Sequence, residues 1–130
     1  MENDKIEKIV NIIKSYPEIK LAYFFGSKAR GDSGPLSDYD FAFYLDERDT
    51  GKIFKVKFSL QDKISRELKT DKLDIVILDL IKSPEVKYNI IKEGRLIYEL
   101  EPYKILVEPK ILNEYFDFRT ILSKYNLTKA

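Results

Sequence analysis

Apolar residues recur along the chain with two different periods. Ile6, Ile9, Val10 and Ile13 step by three or four, which predicts an amphipathic helix over 3–15, ended by Tyr16-Pro17. Residues 19–25 are dense in aromatics, with an unbroken apolar run from Leu21 to Phe25, as a buried strand is. Over 38–45 the period becomes two. Asp38, Asp40, Ala42 and Tyr44 fall on one side and Tyr39, Phe41, Phe43 and Leu45 on the other. This predicts a strand with one core face, the opposite face opening with the acids. Ile53, Val56, Leu60, Ile64 and Leu68 restore the helical period over 51–69, with Phe54 and Phe58 widening the apolar side. Leu73–Leu78 reads as another strand. Ser83-Pro84-Glu85 is a capped helix start, and Gly94 is placed to end that helix. Arg95–Glu99 reads as a short last strand, and Pro102 opens a final helix running to about Tyr125, kinked or split at Pro109.

That last segment is apolar on more than one side. Leu112, Tyr115, Phe116 and Leu122 make one stripe, and Ile111, Phe118 and Tyr125 broaden it beyond what a single core face uses. Two readings stand: a deeply packed terminal helix, or a surface for a partner chain or a second copy.

Composition narrows the chemistry. A chain of 130 residues, 44% hydrophobic and 35% charged, is expected to form one globular domain. Its 23 basic and 22 acidic residues leave a net charge of +1, which argues against an extended nucleic-acid track. With no cysteine, disulfides and thiolate metal sites are excluded. With no histidine, so are imidazole zinc sites, a histidine general base and a Ser-His-Asp triad. Any metal must be held by oxygens, which favours magnesium or manganese. No apolar run approaches a membrane span, and the charged N-terminus lacks a signal-peptide core, so cytoplasmic residence is expected.

One stretch concentrates chemistry-bearing residues. Gly26 to Asp40 reads G-S-K-A-R-G-D-S-G-P-L-S-D-Y-D between two apolar runs. Glycine lets a backbone approach phosphate, and amides at a helix starting at Ser27 would face negative charge. Lys28 and Arg30 follow on the first turn; Lys28 equally suits a solvated face, whereas the planar fork of Arg30 suits phosphate oxygens. Gly31 and Gly34 are expected to serve backbone conformation in a turn-rich loop. Asp38 and Asp40 share one strand face, and two neighbouring carboxylates repel unless a cation lies between them.

Ten residues separate Ser27 from Asp38, giving G-S-x10-D-x-D. This pattern resembles the signature of the DNA-polymerase-β-like nucleotidyltransferases. The run GSKARGDSGPLSDYDFAF is most similar to the minimal nucleotidyltransferases, the antitoxin halves of bacterial and archaeal HEPN/MNT toxin–antitoxin pairs. The resemblance implies an α+β fold with a small mixed sheet flanked by helices and a C-terminal helical segment over about 102–125. It implies Asp38, Asp40 and a third acid as metal ligands and catalytic residues. A pattern like Leu-Asp-Ile-Val points to Asp74 for that third acid, with Asp79 as the rival, suited equally to a turn or cap. It implies Gly26, Ser27, Lys28 and Arg30 around the nucleotide, magnesium or manganese as cofactor, and ATP as substrate. It also implies AMP transfer to a tyrosine of a HEPN RNase toxin docked on the C-terminal segment, with homo- or hetero-oligomers open. Transfer to a small molecule of the aminoglycoside type, and a non-catalytic nucleotide-binding or steric antitoxin, are the alternatives.

Overall fold

The structure is a computed structural model that describes residues 3–31, 34 and 38–125. Its elements are α1 (Asn3–Lys14), β1 (Leu21–Phe25), α2 (Ser27–Arg30), β2 (Tyr39–Tyr44), α3 (Thr50–Leu68), β3 (Leu73–Ile77), α4 (Pro84–Glu93), β4 (Arg95–Glu99) and α5 (Tyr103–Lys124). The strands form a four-stranded sheet in the order β3-β2-β1-β4. β1 pairs antiparallel with β2 and β4, while β2 and β3 run parallel. A parallel pair requires a crossover, and the 19-residue α3 supplies it. The mixed sheet flanked by helices is the architecture that the resemblance implied.

One sheet face packs on α1 and α3. Phe24, Phe41 and Phe43 from the strands meet Ile9 and Ile13 of α1 and the stripe Ile53, Val56, Leu60, Ile64 and Leu68 of α3. Every member of that predicted stripe is buried, and Asp49 caps the helix by accepting hydrogen bonds from the amides of Gly51 and Lys52. Phe54 and Phe58, expected to widen the stripe, do not join the core. They stack on each other with centroids 6.2 Å apart, and Phe58 is 66% exposed. Phe54 follows buried Ile53 by about 100° of helical turn, and Phe58 lies two residues, about 200°, from both Val56 and Leu60, which carries each off the packed face.

The opposite face is covered as well, which the alternation in β2 does not disclose. Leu21, Tyr23 and Ala42 are buried there beneath α4 and α5, through Ile90, Val107 and Ile111. Only the end of that face that carries the acids escapes cover. α4 begins as predicted: Ser83 accepts from the Val86 amide with Pro84 at the first helical position. It is joined to α5 by a Tyr88–Tyr115 stack at 3.8 Å between centroids and by a Lys87–Glu114 ion pair at 3.0 Å. Tyr23 donates from within the second core to Glu108 of α5, and burial followed by that carboxylate pushes its phenol far above its usual range.

α5 is not split at Pro109, and it decides between the two readings of its apolar breadth. It runs unbroken through Pro109. The carbonyl left without an N–H by that proline belongs to Ile105, which is 75% exposed, so solvent can satisfy it. Nor is the helix deeply packed: Val107 and Ile111 alone are buried, while Leu106, Phe116, Ile121 and Tyr125 are each more than half exposed.

Candidate active site

β1 delivers Gly26 and β2 delivers Asp40 to the same point. The antiparallel register sets Phe25 opposite Asp40, so the chain leaves β1 directly beside that carboxylate. Gly26 turns there with φ of 82°, a left-handed conformation that disfavours any side chain. A Cβ on Gly26 would run into Oδ2 of Asp40, so any other residue here must turn that carboxylate aside as well. From this bend α2 makes one turn. The Arg30 amide donates to the Gly26 carbonyl, and Gly31, at φ 80°, caps the turn by donating to the Ser27 carbonyl. A helix this short leaves its leading amides outside intrahelical bonding. Gly31 thus serves the conformation predicted for it. Gly34 has no left-handed φ and needs no glycine on that account.

The parallel register of β2 and β3 places Asp40 directly beside Asp74. Asp40 is therefore flanked by the Gly26 bend on one side and a second acid on the other. Its carboxyl is held above its usual range, first by partial burial, then by the charges of Asp74 and Asp38, with Arg30 opposing the shift. Negative charge thus accumulates around Asp40, and Arg30 offsets it only in part. Asp38 and Asp74 are both exposed. Among the described residues no three acidic side chains converge closely enough to cage a metal by themselves. The donor set nevertheless fits a hard cation: carboxylate oxygens alone, in a pair whose mutual repulsion a divalent ion would relieve.

Asp79, the rival to Asp74, lies at the other end of β3 and is structural. Its Oδ1 accepts from the Leu45 amide at 2.9 Å and its Oδ2 from the Glu47 amide at 3.0 Å, fastening the chain where it leaves β2. A hollow of about 470 Å³ lies at that far end, lined by Tyr44, Asp79 and Tyr103, away from the acids. Lys28 also stands apart: its ammonium sits 4.6 Å from the centre of the Tyr39 ring, which packs with the α1–α3 face. Arg30 does join the acids. With Gly26 and Asp74 it lines a cleft of about 330 Å³ whose far wall is α4, through Val86, Asn89, Ile90 and Glu93. Sequence reasoning missed this wall. The one available signal was the pair of polar residues Asn89 and Glu93, spaced to share a helix face.

No curated protein matches the chain. Several solved structures overlay nearly all of it, among them the following three. A toxin–antitoxin crystallised with AMP-PNP aligns with TM-score 0.72 at 21% identity, covering 96% of this chain and 95% of that one. The tri-AMPylated HEPN toxin of Shewanella oneidensis in complex with MNT antitoxin aligns at 0.71 and 19%, with coverage of 96% and 95%. The toxin–antitoxin MntA-HepT aligns at 0.70 and 19%, covering 95% of both chains. At these identities the likeness establishes the fold. A family model, polymerase beta nucleotidyltransferase, matches residues 7–103, from within α1 to the first residue of α5, and so takes in Gly26, Ser27, Asp38, Asp40 and Asp74. The chain belongs to the polymerase beta nucleotidyltransferase family.

Proposed function

We propose that this protein is a nucleotidyltransferase antitoxin that moves AMP from ATP onto a tyrosine hydroxyl of a partner HEPN toxin and thereby silences it. The observation that carries the reading is the alignment of Gly26, Asp40 and Asp74 across three adjacent backbone segments, within a chain that overlays toxin–antitoxin structures almost end to end.

In this reading the partner's phenolic oxygen attacks the α-phosphorus of ATP. The new oxygen–phosphorus bond forms as the bond from that phosphorus to the β-phosphate bridging oxygen breaks, and pyrophosphate leaves. The phenolic proton passes to the exposed carboxylate of Asp74, which suits a chain with no histidine. Gly26, Ser27 and the leading amides of α2 hold the triphosphate, and Arg30 balances its charge. Asp38, Asp40 and Asp74 would hold magnesium or manganese, which supplies a lowered hydroxyl pKa and neutralises charge on the departing phosphates. Lys28 contributes to nucleotide binding only by leaving the Tyr39 ring.

The family match ends at the first residue of α5, so that helix lies outside the common domain. Its exposed Ile105, Leu106, Phe116 and Ile121 offer the apolar surface on which the toxin docks. The charge balance and the lack of any described helix able to cross a membrane fit a cytoplasmic protein acting in a hetero-oligomer. The test is to incubate the chain with labelled ATP, magnesium and the protein encoded by the adjacent gene. Label is expected on a tyrosine of that partner, and Asp40→Asn is expected to abolish it. A wild-type chain that binds ATP yet labels nothing refutes the proposal.

A further inference from the structure

We infer that the cleft between Asp74 and α4 is the base subsite of the nucleotide, and that Glu93 selects bases with an exocyclic amino group at the six position. This rests on the nucleotidyl-transfer reading and adds to it the residues that choose the base.

One end of the cleft is formed by Gly26, Arg30 and Asp74, beside the proposed phosphate cradle, so a nucleotide held there can extend its nucleoside into the remainder. The remainder has a chemistry of its own. The whole cleft, with its Gly26–Arg30–Asp74 end included, holds about 330 Å³, at the small end of ligand pockets and suited to part of a nucleotide rather than a peptide. Phe25, Val76, Ile81, Val86 and Ile90 give it apolar walls that match the flat faces of a base. Asn89 and Glu93 alone add polar side chains from α4, four residues apart and therefore on one helix face.

These two groups differ in what they can distinguish. The carboxamide of Asn89 donates and accepts, and it can turn over. It therefore pairs with the amino and ring-nitrogen edge of adenine, or, reversed, with the keto and N–H edge of hypoxanthine. The carboxylate of Glu93 only accepts. It welcomes a second hydrogen from an amino group and repels a keto oxygen in the same place. Asn89 thus supplies affinity to either base, and Glu93 supplies the choice between them.

The experiment is a titration of the full chain with ATP and with ITP, in magnesium, each displacing a fluorescent ATP analogue, with no partner present. Wild type is expected to bind ATP about tenfold or more tightly than ITP. Glu93→Gln, whose amide can reverse, is expected to bring the two within about threefold. Asn89→Ala is expected to weaken both about tenfold and keep their ratio. Both positions are exposed, so the fold is not at risk, and a thermal melt checks it. Equal affinities in wild type, or an unchanged ratio in Glu93→Gln, overturn the base subsite while leaving nucleotidyl transfer standing. Asn89→Ala that binds normally but slows transfer to the partner assigns the cleft to the acceptor and equally overturns it. A wild-type chain that binds no magnesium nucleotide removes the functional reading and this inference together.

Discussion

Gly26→Ala separates the backbone role of a glycine from its role as neighbour to Asp40, the proposed catalytic acid. Gly26 and Gly31 flank the same turn with nearly equal dihedrals, φ 82° and φ 80°. Alanine at either position bears a left-handed backbone cost of about 1–2 kcal/mol. At Gly31 the cost ends there, because a new Cβ meets nothing within 4 Å among the described residues. At Gly26 the Cβ would lie 2.1 Å from Asp40 Oδ2 and 3.0 Å from its Cγ. Asp40 must turn aside, at a further cost of about 1 kcal/mol for an unfavourable rotamer. At about 4 °C per kcal/mol for a domain of this size, melting falls by roughly 10 °C in Gly26→Ala against roughly 6 °C in Gly31→Ala. The larger contrast is functional. Displacing a catalytic carboxylate by about 1 Å costs about a hundredfold in rate. Gly26→Ala should therefore lose nucleotidyl transfer to that degree, while Gly31→Ala keeps most of it at a temperature where both are folded. Thermal melts with and without magnesium and a non-hydrolysable ATP analogue, paired with transfer rates, provide the readout. Equal activity in the two variants would refute the packing of Gly26 on Asp40 as the organising contact.

Asp40→Asn should stabilise the cation-free chain while abolishing transfer. Asp40 has its folded pKa above its unfolded one, so its ionisation opposes folding; the favourable contribution is complete below the unfolded pKa and is lost as pH rises through the folded value. The melting-point gain over wild type should be greater near neutral pH than in mild acid, and a variant that melts lower at neutral pH contradicts the assignment. Asp79→Ala removes two carboxylate-accepted bonds to the Leu45 and Glu47 amides and should cost about 2–4 kcal/mol in urea unfolding. A loss within experimental error would mean that this fastening is not energetic. Phe116→Ser on the exposed side of α5 should leave the melting point within about 2 °C and nucleotide binding unchanged, yet weaken capture of the partner at least about tenfold. Undiminished capture places the docking surface elsewhere.

Local periodicity was enough to locate the helices and strands, because the stripe on α3, the Ser83-Pro84 start and the alternation in β2 each act within one element. The candidate site was legible to the extent that it depends on spacing: Gly26, Ser27, Asp38 and Asp40 lie within one short stretch. What the chain did not disclose is set between elements. Period-two alternation assigned Ala42 and Tyr44 to a face but could not show that α4 and α5 cover it. The same parity separated Asp74 from Asp79 without fixing that Asp74 registers against Asp40, or that Asp79 is occupied by two amides. Lys28 is adjacent to the site in sequence, yet its long side chain finds the Tyr39 ring on the other side of the sheet. Asn89 and Glu93 carry no motif, and only the packing of α4 brings them opposite Asp74.

The Tyr88–Tyr115 stack makes α4 and α5 a single mechanical plate, with the Lys87–Glu114 pair as a second rivet. One edge of that plate walls the cleft proposed for the nucleotide, and the other presents apolar side chains outward. If both proposed occupants bind there, free energy spent by one on steadying the plate need not be spent again by the other. Thermodynamic reciprocity would then make the two occupancies cooperative to the same degree in both directions, and a loaded chain would grip its protein target better than an empty one.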